Sequence, residues 1–310
     1  MAQEIKVGVI GAGRLGSVHA RIYSELPQVR LIGVCDVLTE RAQLLADAYG
    51  AKVFQDYKEL LPLVDAVTVA SPTNTHSGIA KYAIRHGKHV LIEKPVTDDL
   101  RQARHLTRLA GRHGVILQVG HVERFNSAFL ATRKLALHPR FIECHRLSPF
   151  PHRSLDIGVV FDLMIHDIDI VLGLVRSPVR RIDAVGVSVL TPFEDIANVR
   201  LTFRNGCIAN LTASRISDEP MRKIRIFLRD AYISLDYQAQ EAFCYKKEKT
   251  AITKTAIPIE KEEPLRAEIE DFINCVRHNW RPVVSGLEAY QALKLATQIR
   301  NLIWKRRLSS

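Results

Sequence analysis

Residues 5–16 read "IKVGVIGAGRLG", and this stretch decides the fold of the first half. Ile5 to Ile10 is a short apolar run rich in β-branched side chains, the mark of a buried strand. It opens directly into Gly11-Ala12-Gly13-Arg14-Leu15-Gly16, and a helical pattern follows to about Leu26. A second buried strand, "VRLIGVCD", ends in Asp36, 20 positions after Gly16. In such an arrangement Gly11 makes a tight turn, Gly13 lets backbone approach a pyrophosphate, and Gly16 lets helix and strand pack closely. The helix N-terminus faces the phosphates and the acidic residue holds ribose hydroxyls. The spacing therefore predicts a dinucleotide site with Gly11, Gly13, Arg14, Leu15, Gly16 and Asp36 as contacts. Asp36 would repel a 2′-phosphate, and Val37 and Leu38 offer no counter-charge, which favours NAD over NADP. Arg41, one helical turn into the next element, would soften that preference.

Outward from this stretch the alternation of strand and helix continues. Strands are expected at Ala66–Ala70, His89–Ile92 and Val115–Val119, and helices at Thr75–His86 and Asp98–His113. Alternating strands and helices imply a doubly wound parallel sheet, whose ligands gather beyond the C-terminal strand ends. Two segments fall there. "SPTNTH" brings Ser71, Thr73, Asn74 and His76, and "EKP" brings Glu93, Lys94 and Pro95, all candidates for the cofactor crevice. Lys94 reads either as a surface lysine in a turn or as a cation held over a nicotinamide ring.

After Val119 the pattern changes, which sets a domain boundary near residue 120: a dinucleotide-binding domain over 1–120 and a substrate and assembly domain over 121–310. A polar segment, "GHVERFN", precedes a strand at Phe141–Ser148 and a Pro-rich loop, "PFPHRS". Strands at Ala197–Phe203 and Cys207–Ala213 flank Asn205-Gly206, a type I′ hairpin signal. Further alternating runs lie at Lys223–Leu228, Tyr232–Asp236 and Glu241–Tyr245. Amphipathic helices at Leu265–Arg277 and Gly286–Trp304 close the chain. The fold class is thus α/β followed by α+β, the second half being a largely antiparallel sheet.

Between the Pro-rich loop and the hairpin stands "VVFDLMIHDIDIVLGLV", residues 159–175, an apolar run that carries Asp162, His166, Asp167 and Asp169. Ionisable groups are seldom buried unless paired or put to use. On an α-helix Asp162 and His166 lie roughly 40° apart, Asp169 falls about 20° from Asp162, and Asp167 points away. Either these groups form a satisfied buried network, with Asp169 paired to His166 or a basic residue and Asp162 capping the helix, or Asp162 and Asp169 orient His166 for chemistry. Alcohol oxidation needs a hydride acceptor, a base for the hydroxyl proton and positive charge near the developing alkoxide. The dinucleotide site, His166 and Lys94 would supply these in turn. An imidazole, with its ordinary pKa of about 6.5, suits a base working near neutral pH.

The totals bound the rest. The chain has 310 residues and a formal charge of +11. Its basic residues are scattered, apart from Lys305-Arg306-Arg307, with no interleaved aromatic stripe, so nucleic acid is not expected as a partner. A dispersed basic surface is either plain solvated surface or suited to a small anionic substrate. No apolar run is long enough to span a bilayer, and the start lacks the basic region of a secretory signal. Five cysteines without a C-x-x-C predict free thiols in a reducing cytoplasm and no zinc site.

Gly11-Ala12-Gly13-x-x-Gly16, Glu93-Lys94-Pro95 and Asp162-x-x-x-His166, in that order, resemble the glucose–fructose oxidoreductase/inositol dehydrogenase/rhizopine catabolism (Gfo/Idh/MocA) family over essentially the full length. The resemblance implies that Lys94, Asp162 and His166 form the catalytic group. It also implies a cis Lys94–Pro95 bond, and an open-faced sheet through which subunits pair into homodimers or homotetramers. The chain departs from many members around the catalytic helix, where only Gly158 survives of the first glycines and Met164 stands where glycine is frequent. "GHVERFN", "RLSPFPHRS" and "DLMIHDID" are similar to the bacterial nucleotide-sugar 3-dehydrogenases of that family. This narrower resemblance implies NAD-linked oxidation of a UDP-sugar 3-hydroxyl, UDP-N-acetylglucosamine above all, ahead of a pyridoxal-phosphate aminotransferase in lipid A biosynthesis. Substrate contacts are then expected from Lys94, Arg124, Asn126, Arg146, Arg153 and His166, with His152 beside the arginines as a donor to the pyrophosphate and Arg215 as a weaker candidate. Another polyol, an aldose, a UDP-uronic acid, or a regulatory protein that only binds NAD are the alternatives.

Overall fold

The computed structural model describes residues 4–150, 157–248 and 251–307. The chain forms two compact units, Met1–Val122 with Leu265–Tyr290, and Glu123–Pro264 with Gln291–Ser310. The single boundary expected near residue 120 is therefore corrected, because the chain returns to the first unit.

The first unit runs β1 (Ile5–Ile10), α1 (Arg14–Glu25), β2 (Val29–Cys35), α2 (Thr39–Tyr49), β3 (Lys52–Phe54), α3 (Tyr57–Leu60), β4 (Ala66–Val69), α4 (Thr73–Arg85), β5 (His89–Glu93), α5 (Leu100–His113) and β6 (Leu117–Gly120). Its six strands pair in the order β3-β2-β1-β4-β5-β6, all parallel. This is the doubly wound order, and its direction reverses between β1 and β4, the place where such sheets bind dinucleotides. Helix α5 shows how local chemistry sets the ends: the Asp99 carboxylate accepts from the N–H groups of Arg101 and Gln102, and Gly114 terminates the helix at φ 64°.

The returning segment holds α8 (Pro264–His278). Ile269, Phe272 and Ile273 enter the same apolar cluster as Val7, Val9, Ile22 and Tyr23. Beyond α8, the Val119 N–H donates to Val284 O at 3.1 Å, so the segment also borders β6. An amphipathic helix goes where its apolar stripe is buried, whatever its distance along the chain.

The second unit contains α6 (Ser127–Arg133), β7 (Phe141–Leu147), a π-helical turn at Val160–Met164 and α7 (Ile165–Val175). β8 (Val179–Val187), β9 (Ile196–Phe203), β10 (Ile208–Ser214), β11 (Met221–Phe227), β12 (Ala231–Asp236), β13 (Glu241–Glu248) and β14 (Ala251–Ala256) follow. α9 (Gly286–Arg307) ends the chain. The eight strands pair in the order β14-β13-β12-β11-β7-β10-β9-β8, antiparallel except for β7 with β10. Period-2 burial fits a sheet covered on one side. Ile142 and Cys144 of β7, Val199 and Leu201 of β9, and Ala209 and Leu211 of β10 are buried, and their neighbours in sequence are not.

The β9–β10 hairpin forms where Asn205-Gly206 announced it, with a different turn. Gly206 N–H donates to Phe203 O, and Gly206 alone is left-handed, at φ 87°. A type I′ turn needs positive φ at two successive residues, so this loop is the longer kind that ends in a left-handed glycine.

Candidate active site

The predicted dinucleotide loop has the required geometry. Gly11 sits at φ 100°, and a Cβ there would stand 2.6 Å from the Ala70 carbonyl carbon, so glycine is needed twice over. A Cβ on Gly16 would lie 1.7 Å from Gly11 O, so helix α1 can pack this close only on glycine. Around Gly13, by contrast, a Cβ would meet nothing within 4 Å, and no side chain caps the first turn of α1. Open space beside uncapped helix N–H groups is what a phosphate needs. Asp36 ties the loop together: one carboxylate oxygen accepts from Ala12 N–H at 2.7 Å and the other from Leu38 N–H at 2.9 Å. Arg14, Arg41 and Asn74 are exposed, and Leu15, Ser71 and Thr73 are half-buried. These groups fit a dinucleotide.

His76 has a different part from the cofactor contact expected of it. Its ring is buried and bridges two carbonyls, Pro95 O at 3.0 Å from Nδ1 and Ser71 O at 2.8 Å from Nε2. Burial pushes the imidazole below its ordinary value, against the pull of those carbonyls. His76 thus packs between the loop after β4 and the loop after β5, its single ring N–H donating to one of the two carbonyls. Lys94 follows β5, is half-buried, and is joined to Pro95 by a cis peptide bond.

In the second unit the polar residues of 159–175 divide into two pairs. Asp167 and Asp169 are buried, and each meets an arginine. Arg124 grips Asp169 through Nε at 2.5 Å and Nη2 at 2.9 Å, and reaches the Asp169 carbonyl at 2.8 Å. The guanidinium lies against Gly173, where a Cβ would be 2.1 Å from Nη1. Arg146 donates to both oxygens of Asp167, at 2.8 and 3.0 Å, and to Glu123 at 2.8 Å. Burial opposes the Arg146 charge, but Asp167 and Glu123 outweigh it and hold the guanidinium protonated, well above its ordinary value. Asp162 and His166, the other pair, are half-buried.

Several expectations are corrected by these contacts. Arg124 and Arg146, expected as substrate contacts, are engaged by buried aspartates. Asp169 pairs with Arg124, the basic-residue alternative of its reading. Asn126, read as a substrate contact, is buried; it caps α6 by accepting from Ala128 N–H at 3.1 Å and donates to Tyr237 O at 3.0 Å. Arg215 is buried against Asp195 and the carbonyls of Ile157 and Glu194. His152 and Arg153 lie outside the described residues.

The π-helical turn also changes the angular argument. Asp162 sits within it, and a π turn carries more residues per turn than the α-helix assumed for the sequence. Such turns often mark functional sites. Met164 is fully buried in this turn, and a Cβ on Gly158 would lie 1.9 Å from Glu194 Oε1.

One signal for an arginine pair was present in the sequence. Arg146 falls on the buried register of β7, in step with Ile142 and Cys144, so it needed an internal acid. His19, three residues after Gly16, is fully buried and hydrogen-bonds Glu93 at 3.0 Å; nothing in local pattern named that partner. Among the described residues no group of three or more His, Cys, Asp or Glu side chains could hold a metal ion, and no helix is long and apolar enough to cross a membrane.

Comparison with known proteins agrees with this architecture. Residues 5–121 match the model of an oxidoreductase family with an NAD-binding Rossmann fold, and residues 118–234 match the GFO/IDH/MocA C-terminal domain. The chain is 38% identical to UDP-N-acetylglucosamine 3-dehydrogenase of Acidithiobacillus ferrooxidans, over 96% of both chains. The solved structure of that enzyme superposes with a TM-score of 0.93, covering 97% of this chain and 98% of that one. An NAD(+)-linked scyllo-inositol 2-dehydrogenase of Bacillus subtilis is 26% identical over 97% of this chain and 94% of its own length. A levoglucosan dehydrogenase, 18% identical with a TM-score of 0.90 over 98% of both chains, shares the fold. The chain is an oxidoreductase that binds a nucleotide cofactor in its first unit, and it belongs to the Gfo/Idh/MocA family.

Proposed function

We propose that this oxidoreductase uses NAD to oxidise the 3-hydroxyl of a UDP-sugar, UDP-N-acetylglucosamine first, giving the 3-keto sugar. The observation that carries the reading is the division of polar groups on residues 159–175. Asp167 and Asp169 are neutralised by arginines, while Asp162 and His166 keep partly open side chains. An apolar helix needs no imidazole for packing, so His166 is retained for chemistry. The relative that acts on UDP-N-acetylglucosamine supports the choice of sugar.

NAD, when bound, supplies the acceptor for the hydride that leaves C3. His166 takes the proton of the C3 hydroxyl as the C–H bond breaks. Asp162 holds the imidazole in the orientation that accepts it. Lys94 stabilises the developing alkoxide through its ammonium charge. Asp36 favours NAD, since its carboxylate accepts hydrogen bonds and would repel a 2′-phosphate. Arg153, with His152, is left as the basic candidate for the pyrophosphate, because Arg124 and Arg146 are committed elsewhere.

Five free thiols fit a reducing cytoplasm. The partners of this reading are a second copy, in a homodimer or homotetramer paired through the uncovered sheet face, and a pyridoxal-phosphate aminotransferase that consumes the keto sugar. The test is NADH absorbance with NAD and UDP-N-acetylglucosamine, with a ketone trap drawing the reaction forward. Oxidation of free inositols or aldoses in place of the nucleotide sugar would overturn the choice of substrate.

A further inference from the structure

We propose that His19 is a positioning residue for Lys94: it locks the Glu93 carboxylate, which fixes the main-chain N–H of Lys94 and so the direction in which the lysine leaves β5. The inference rests on the reading that Lys94 acts on the substrate. His19 is fully buried on α1, and Glu93 is buried at the end of β5. His19 Nε2 lies 3.0 Å from Glu93 Oε1, and the Lys94 N–H donates to Glu93 Oε2 at 3.2 Å. Both oxygens of one carboxylate are thus used, one to anchor it and one to hold the next residue.

The anchor extends inward. His19 Nδ1 is 3.5 Å from Thr68 Oγ1, which is 2.7 Å from the Tyr23 hydroxyl. A carboxylate only accepts, so Nε2 donates to Glu93, and Nδ1 faces the Thr68 hydroxyl. Burial pushes the Tyr23 phenol well up, which keeps it a donor. The other side of Glu93 is closed by Gly120, where a Cβ would stand 2.9 Å from Oε2. Burial pushes the Glu93 carboxyl up, but the hydrogen bond and charge of His19 and the charge of Lys94 prevail and hold it below its usual value. Glu268 on α8 is fully buried, with no hydrogen bond to either carboxylate oxygen among the described residues. Burial and the charges of Glu93 and Asp271 push its carboxyl well above the carboxylate range.

His19→Asn and His19→Gln separate positioning from packing. Glutamine places its amide nitrogen near the Nε2 position and still donates to Glu93; asparagine reaches only as far as Nδ1. Hydrogen exchange at the Lys94 amide reads the lock without substrate. His19→Asn is expected to speed that exchange about tenfold, the scale of one charge-assisted hydrogen bond, with His19→Gln near wild type and β1 and β4 amides unchanged. In turnover His19→Asn lowers kcat about tenfold on the same scale, with KM for the nucleotide sugar and Kd for NAD retained, and His19→Gln restores it. A merely structural histidine would change the amount of folded enzyme and leave kcat of the folded fraction intact. If His19→Asn does not fold, Gly120→Ala attacks the lock from the other side and should give the same two results. Unchanged Lys94 exchange in the variants would overturn the lock, and faster exchange with unchanged kcat would overturn its part in the reaction. A wild-type protein that does not oxidise the nucleotide sugar would remove the activity reading alone, since exchange still decides the lock.

Discussion

Arg124 encloses the Asp169 carboxylate with two guanidinium nitrogens, at 2.5 and 2.9 Å, and the aspartate side chain is 2% exposed. That pair fixes the polar segment before α6 to helix α7. Arg124→Ala leaves a buried carboxylate without its counter-charge, a loss of about 3–5 kcal/mol. Denaturant unfolding checks it. Asp169→Asn should also destabilise, with kcat of the folded fraction retained; a large fall in kcat would return Asp169 to His166.

His166→Asn removes the proposed base and Lys94→Ala the proposed cation. Each should lower kcat about 10²–10⁴-fold, the range of general acid–base and electrostatic contributions. NAD binding, followed by fluorescence, should survive His166→Asn. Loss of NAD binding with unchanged kcat at saturation would contradict the assignment.

Asp36→Ala removes the acceptor that holds both Ala12 N–H and Leu38 N–H, and with it the expected ribose contact. NAD affinity should fall by about tenfold or more, as for one lost charge-assisted hydrogen bond. NADP should bind better relative to NAD than in the wild type, and calorimetry with each cofactor checks both. An unchanged ratio would place the discrimination at Arg41.

Glu268 makes a prediction about pH. Burial, with Glu93 and Asp271 nearby, raises its carboxyl in the native protein, while in the unfolded chain it titrates at about 4.3. Above that pH the unfolded chain has released a proton that the native state retains, so this group lowers stability as pH rises. Glu268→Gln removes the effect. The variant should exceed wild type in stability at neutral pH, with a gap that grows by up to about 1.4 kcal/mol per pH unit above pH 4.3 until the native carboxyl titrates. A gap that does not change with pH would mean that Glu268 is charged in the native protein.

Most of the first unit was legible because local signals agree there: short β-branched strands, the glycine loop, and helices bounded by Asp99 and Gly114. β3 has three residues and β14 is exposed throughout, so neither gives a burial pattern to read. The catalytic candidates were legible as types, a histidine and an aspartate in an apolar run. Their division from Asp167 and Asp169 was not, because it depends on Arg124 and Arg146, which lie 45 and 21 residues away from their partners. Long-range ion pairs leave no local period. The π-helical turn was equally hidden, since its residues are ordinary helix formers. The return of α8 to the first unit could not be read from an amphipathic stripe, which says that a face is buried but not against what.

The most direct test of the account is turnover. With NAD, UDP-N-acetylglucosamine and a ketone trap, the wild-type protein should form NADH in proportion to the 3-keto sugar trapped, and His166→Asn should abolish most of it. No NADH from the wild type under those conditions, with NAD binding demonstrated in the same preparation, would contradict the account.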